Sequence, residues 1–207
     1  MGSGLSDTKK IVLASNNAGK VLEINVMLAG HDLQVISQSE FSVPEIEETG
    51  LTFVENALLK ARHAAQHTGL PAIADDSGIE ISALQGHPGI YSARYAGVGA
   101  SDEDNLDKLI SEIKKLPEDH RQARFVCLMV FLRHAEDPVP LIAEGIWDGI
   151  AVTVPKGHNG FGYDPMFYVP THNCTSAELP SAIKNRISHR GQALQKLVAQ
   201  LNTCKPG

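Results

Sequence analysis

The sequence predicts an α/β domain built on a mixed sheet. Two observations predict it. Apolar runs of strand length alternate with segments of helical period early in the chain, and two long apolar runs then follow one another directly, as an antiparallel pair does. At 207 residues the chain suits one domain, or one domain with two lobes, and can bury a sizeable core. No internal repeat, heptad run or low-complexity block interrupts it.

Residues 1–9 are small and polar. They read as a flexible tail without the apolar core of a signal peptide, which leaves 10–207 as the domain. Residues 10–14 are a first strand, apolar throughout and so buried on both faces. They lead into the polar loop Ser15-Asn16-Asn17-Ala18-Gly19-Lys20. A helix over 21–28 follows, apolar at 21, 24 and 28 and at 22 and 26. Its N-terminus offers amide donors and a partial positive charge, with Lys20 beside it. The loop is not a Walker A motif, because its first glycine is missing and Val21 stands where Ser or Thr would hold Mg²⁺. It is either an anion site or an Asn-rich turn with a surface lysine.

A second strand is expected over 33–37, then an acidic loop over 43–50 carrying Glu45, Glu47 and Glu48. Such a run is either a solvated face or part of a cation site. Thr52 and Glu55 form a capping box that opens a helix reaching about Thr68. Phe53, Ala57, Ala61 and Ala64 are its buried stripe, and Asn56 and Lys60, four apart, share another face.

The next strand carries Ala72-Ile73-Ala74-Asp75-Asp76, and Ser77-Gly78 reads as the turn that ends it. Two acids at the end of a buried strand are costly unless compensated, and a hard divalent cation is the usual compensator. The alternative is a carboxylate that only caps the turn. Residues 79–84 alternate like a further strand, and a helix is expected over 101–115 with Ser101 as its cap. Residues 124–133 and 141–152 are the antiparallel pair, with Gly145 and Gly149 suggesting a bulge or sharp twist. In Gly160-Phe161-Gly162-Tyr163-Asp164-Pro165, glycines flank an aromatic ring that either meets a ligand or packs on the core. A short strand over 166–169 follows. The last helix, through Leu201, is capped by Ser188, and His189 and Arg190 in its first turn oppose the dipole preference. Residues that break a local rule are candidates for function.

Composition narrows the function. The chain is 43% hydrophobic and 20% charged, with a net charge of −6, so a nucleic-acid backbone is not an expected partner. No apolar run is long enough to span a membrane. Cys127, Cys174 and Cys204 are odd in number and far apart, which fits free thiols in a reducing, cytoplasmic compartment. The nine histidines show no metal-spaced pair.

Six blocks, in order from about Lys10 to Leu201, resemble the inosine/xanthosine triphosphate pyrophosphatase family. They are Ser15 to Lys20; Glu47 to Ala57 with Lys60-Ala61; Ala74-Asp75-Asp76-Ser77-Gly78; Pro88-Gly89-Ile90-Tyr91-Ser92-Ala93-Arg94; Gly160 to Pro165; and Ser188-His189-Arg190-Gly191. Two positions depart from the family pattern: Ser15 stands where Thr is common, and Pro180-Ser181-Ala182-Ile183 where acids often precede the lysine equated with Lys184.

The resemblance implies an elongated mixed central sheet flanked by helices, with two lobes and an active-site cleft between them. It implies a Mg²⁺-dependent homodimer that hydrolyses purine nucleoside triphosphates with deaminated bases (ITP, dITP, XTP) to monophosphate and pyrophosphate. Carried over residue by residue, Asp76 is the catalytic acid/base and a Mg²⁺ ligand, Glu47 is the other acid at the metal, and Lys60 adds positive charge. Whether Glu48 or Asp75 also touches the metal stays open. Ser15, Asn16, Asn17, Ala18, Gly19 and Lys20 cradle the triphosphate, and Ser77 contacts substrate. Phe161, Gly162, Tyr163 and Asp164 line the base pocket, with Phe161 stacking, while Lys184, His189 and Arg190 donate to the base. Keto purines present an acceptor at C6 where adenine has a donor, so a donor-rich pocket selects them. Guanine shares that keto group, so rejecting GTP needs a further feature of the pocket. Two other readings are a related pyrophosphatase acting on other modified nucleotides and a nucleotide sensor without turnover. Paired carboxylates argue against the sensor.

Overall fold

The structure, a computed structural model, describes residues 9–29 and 33–203. The expected tail over 1–9 lies outside them up to residue 8, and strand β1 begins at Lys9. The strands are β1 (Lys9–Leu13), β2 (Leu33–Ser37), β3 (Ala72–Ile81), β4 (Gln122–Leu132), β5 (Leu141–Ala151), β6 (Phe167–Val169) and β7 (Cys174–Thr175). The helices are α1 (Ala18–Leu28), α2 (Phe53–Thr68), α3 (Asp102–Ile113), α4 (Ser181–Ile187) and α5 (His189–Thr203).

The strands form one sheet in the order β2-β1-β3-β4-β5-β6-β7. It is mixed, as expected: β1 pairs in parallel with β2 (Ile11 opposite Val35) and with β3 (Val12 opposite Ala72). At the other end β6 pairs antiparallel with β5 (Phe167 opposite Ala151) and with β7. No helix of the described residues is long and apolar enough to cross a membrane.

The chain divides into two compact units. The first runs through Asp75 and takes in Met129–Ala143 and the chain from Leu197; the second comprises Asp76–Leu128 and Glu144–Lys196. The core of the first is built of small residues. Ala57, Ala61, Ala64 and Ala65 of α2 pack against Val12, Ala72, Ala74, Val130 and Leu132. Alanine at these positions favours the helix and lets it lie close to the strands. The core of the second is larger-grained, with Ile79, Ile81, Leu109, Ile113, Phe125, Trp147 and Phe167.

The structure adds to the sequence-based expectation and departs from it in places. The turn expected at Ser77-Gly78 is absent, and β3 runs unbroken for ten residues. Ala72 and Ala74 are anchored in the first core and Ile79 and Ile81 in the second, so packing on either side overrides the local turn preference of Ser-Gly. Asp75 and Asp76 therefore sit inside a strand, and successive side chains of a strand leave opposite faces. Strand β5 is likewise unbroken at Gly145 and Gly149. These glycines allow close approach: a Cβ at Gly145 would lie 1.9 Å from the His189 carbonyl oxygen, and one at Gly149 would lie 2.5 Å from the Phe167 ring. Helix α4 and strand β7 were not legible in the sequence, both being short.

Candidate active site

The sequence-predicted residues fall into two groups, one in each unit. In the first unit, β1 delivers the chain into the loop over 14–17. Asn17 caps α1, its Oδ1 accepting from the Lys20 amide at 3.0 Å, so the helix starts at Ala18, earlier than expected. Gly19 and Lys20 then lie in its first turn. The Ser15 hydroxyl accepts from the Asn17 amide at 3.2 Å, and the Ser15 carbonyl accepts from Ser37 Oγ at 3.4 Å. Asn16 donates to Glu45 Oε1 at 3.1 Å and accepts from Gln38 Nε2 at 3.0 Å. The polar loop is thereby fastened to the strand-end of β2 and to the acidic loop.

Lys20 Nζ reaches Asp75 Oδ2 at 3.0 Å, with the Asp75 side chain fully buried. The partnership neutralises a carboxylate that its strand has taken out of water. It also leaves Lys20 at the start of a helix, where backbone amides and the dipole already favour an anion.

The acidic loop has no helix or strand over 43–50. Glu48 accepts from Lys60 Nζ at 2.7 Å, while Glu47 is exposed. Asn56, buried on α2, accepts from the Gly50 amide at 2.8 Å. Thr52 caps α2 as expected, its Oγ1 accepting from the Glu55 amide, and Glu55 Oε2 accepts from the Thr52 hydroxyl and the Leu51 amide. The Thr52 hydroxyl first, and then the Leu51 amide, hold the Glu55 carboxyl below its usual range.

In the second unit, Asp76 is 6% exposed. Ser77 Oγ accepts from Arg190 Nη2 at 3.1 Å. Ser188 caps α5, accepting from the Gly191 amide at 3.1 Å, and this sets His189 and Arg190 in the first turn. Their break with the dipole preference has a structural reason, because both are buried with specific neighbours. The His189 ring stacks on Phe125 with centroids 4.6 Å apart and planes 9° apart.

Asp164, expected to line a base pocket, spends both carboxylate oxygens on the protein. Oδ1 accepts from Ser176 Oγ at 2.6 Å, and Oδ2 accepts from Lys184 Nζ at 2.7 Å and the Phe161 amide at 2.9 Å. Asp164 and Lys184 are 3% and 5% exposed, so this is a buried ion pair with supporting hydrogen bonds. The Gly162 amide donates to Asp102 at the start of α3, 60 residues away in sequence, at 3.1 Å. The Tyr163 hydroxyl donates to the Ser92 carbonyl at 2.8 Å, and burial raises it above the ordinary tyrosine range. The result is a fixed Phe161 ring flanked by two cations, with Lys184 Nζ 5.4 Å and Arg190 Cζ 5.5 Å from its centroid.

The supports that sequence reasoning missed are Asp102, Ser176 and His63. His63 was legible in principle. Asn56, Lys60 and His63 recur at helical spacing, and His63 and His67, four apart on α2, bring their rings to 4.2 Å.

Among the described residues no group of three or more His, Cys, Asp or Glu gathers as a metal cage. The oxygen donors present suit a hard cation held by one or two carboxylates and completed by water and phosphate oxygens, which is how Mg²⁺ is usually bound.

The Ham1 family model matches residues 11–200. A dITP/XTP pyrophosphatase of Vibrio cholerae is 57% identical over 199 residues, covering 95% of this chain and all of that protein. The dITP/XTP pyrophosphatase of Escherichia coli O157:H7 is 56% identical over 193 residues, covering 93% of this chain and 98% of the relative. Among solved structures, a HAM1 protein from Coxiella burnetii superposes with a TM-score of 0.88 at 50% identity, over 95% of this chain and all of the other. The Staphylococcus aureus Ham1 protein gives 0.83 at 44%, with the same coverage.

Proposed function

This chain belongs to the Ham1 family, and from that premise we propose that it hydrolyses deaminated purine nucleoside triphosphates, dITP, ITP and XTP, to the monophosphate and pyrophosphate. The observation that carries the reading is the Phe161 ring flanked by the buried donors Lys184 and Arg190. An aromatic face beside fixed cationic donors suits a purine bearing keto oxygens, which accept, and disfavours adenine, whose C6 amino group donates.

The phosphate end of the substrate falls to Ser15, Asn16, Asn17, Ala18, Gly19 and Lys20. The α1 N-terminus and the Lys20 ammonium attract the anion there. Lys60 adds charge where it builds up on the phosphates. Asp76 accepts the proton of the attacking water. The water oxygen bonds to the α-phosphorus, and the α–β bridging oxygen leaves with the pyrophosphate. Ser77 contacts the substrate beside it. The proposed cofactor is Mg²⁺, with Glu47 and Asp76 as its carboxylates; when bound it neutralises phosphate charge and acidifies water. The His189 ring, stacked on Phe125, fixes the first turn of α5 from which Arg190 reaches out. We place the enzyme in the cytoplasm with the nucleotide pool, as a homodimer.

Hydrolysis of dITP in H₂¹⁸O with Mg²⁺ tests the reaction. The expected result is one ¹⁸O in the monophosphate and none in the pyrophosphate. Label in pyrophosphate means attack on the β-phosphorus, and release of single phosphate rules the reading out.

A further inference from the structure

Asn56, Lys60 and His63 stand at i, i+4 and i+7 on α2, and so on one face of it. Each grips the acidic loop at a different point. Asn56 Oδ1 accepts from the Gly50 amide at 2.8 Å, and Lys60 Nζ meets Glu48 Oε1 at 2.7 Å. His63 Nε2 meets the Pro44 carbonyl oxygen at 2.7 Å. A carbonyl only accepts, so Nε2 carries the hydrogen and donates it. The His63 ring is itself braced by that of His67, at 4.2 Å between centroids. His67 is set in turn by the contact of its Nδ1 with the His63 carbonyl at 2.9 Å.

The loop has no secondary structure of its own over 43–50, so these side chains largely decide where its acids stand. Lys60 and Asn56 hold its later half. At its start, His63 supplies the tie from α2, and Asn16 binds the next residue, Glu45.

We propose that His63 is a positioning residue that holds the start of the acidic loop and thereby sets the Mg²⁺ requirement of the enzyme. The proposal rests on the function proposed above. His63 touches neither substrate nor metal in it. It acts through the Pro44 carbonyl on the loop that carries Glu47.

The test uses the full chain and two readouts. The first is amide hydrogen exchange of the loop over 45–49 without nucleotide. The second is the Mg²⁺ concentration that gives half-maximal pyrophosphate release from dITP. His63→Leu keeps bulk on the helix and removes the donor, with His63→Ala as the second variant should leucine unfold the protein. Loop exchange is expected to quicken about fivefold, the ratio equivalent to one net hydrogen bond. The Mg²⁺ midpoint should rise by about the same factor, with kcat at saturating Mg²⁺ within about twofold of wild type. His63→Gln, whose side-chain amide donates from a similar position, should restore both readouts. Wild-type loop exchange in His63→Leu overturns the proposal. So does a fall in kcat with an unmoved Mg²⁺ midpoint, which is the mark of a merely structural role. Should the wild-type enzyme release no pyrophosphate from dITP at any Mg²⁺ concentration, it is the proposed function that fails, and the exchange readout still decides whether His63 holds the loop.

Discussion

Replacing Asp76 by asparagine is expected to lower kcat on dITP by about 10³-fold, the scale of losing a positioned proton acceptor. The change keeps the size of a side chain that sits inside β3 and is 6% exposed, so the fold should survive. It removes the proposed proton acceptor and one of the two proposed magnesium carboxylates. Nucleotide binding should persist within about tenfold, because the Lys20 end of α1 and the Phe161 platform are untouched. Steady-state kinetics with calorimetric titration of dITP separates the two quantities. Activity within tenfold of wild type would remove Asp76 from the chemistry. Loss of binding and activity together would make it a binding residue.

The second large effect is expected at Asp164. Its carboxylate serves three donors, and one of them, the Lys184 ammonium, is buried with it. Asp164→Asn leaves that ammonium without its countercharge, which for a buried pair costs about 3–5 kcal/mol. In a chain of this size that lowers the melting temperature by roughly 6–20 °C. The double change Asp164→Asn with Lys184→Met removes both charges and should melt higher than Asp164→Asn alone. Calorimetry of wild type and variants checks this. An Asp164→Asn protein melting within about a degree of wild type would show that the pair carries no such weight. The functional consequence follows from the same bonds: Asp164 fixes the Phe161 amide and the Lys184 ammonium together, so the single variant should also lose discrimination between dITP and dATP.

What the residues disclosed on their own divides by the range of the interaction. Asn17 and Lys20, Thr52 and Glu55, and Ser188 and Gly191 act over three residues, and the sequence pattern placed each helix start to within a few positions. The strand at Asp75-Asp76 was found, but its length was not. Ser-Gly signals a turn locally, and only Ile79 and Ile81, sunk in the second unit's core, make the strand continue. Gly145 and Gly149 stood out in a strand, but the close contacts they allow, with the carbonyl of His189 and the ring of Phe167, are distant in sequence. Of the proposed site, the residue types were visible and their partners were not. Lys20 to Asp75, Lys184 to Asp164 and Arg190 to Ser77 span 55, 20 and 113 positions, and no periodicity encodes such distances. The Asn56, Lys60, His63 series was readable as one helical face, but nothing in it says that the face grips a loop.

The central claim is that this chain selects keto purines through fixed donors beside an aromatic ring. Its most direct test is kcat/KM for pyrophosphate release from ITP, XTP, GTP and ATP, measured side by side with Mg²⁺. The account predicts that ITP and XTP exceed ATP by about 100-fold or more, because adenine would set its amino donor against Lys184 and Arg190. Equal rates on all four nucleotides would contradict the account, since a pocket with these donors cannot be indifferent to the C6 substituent.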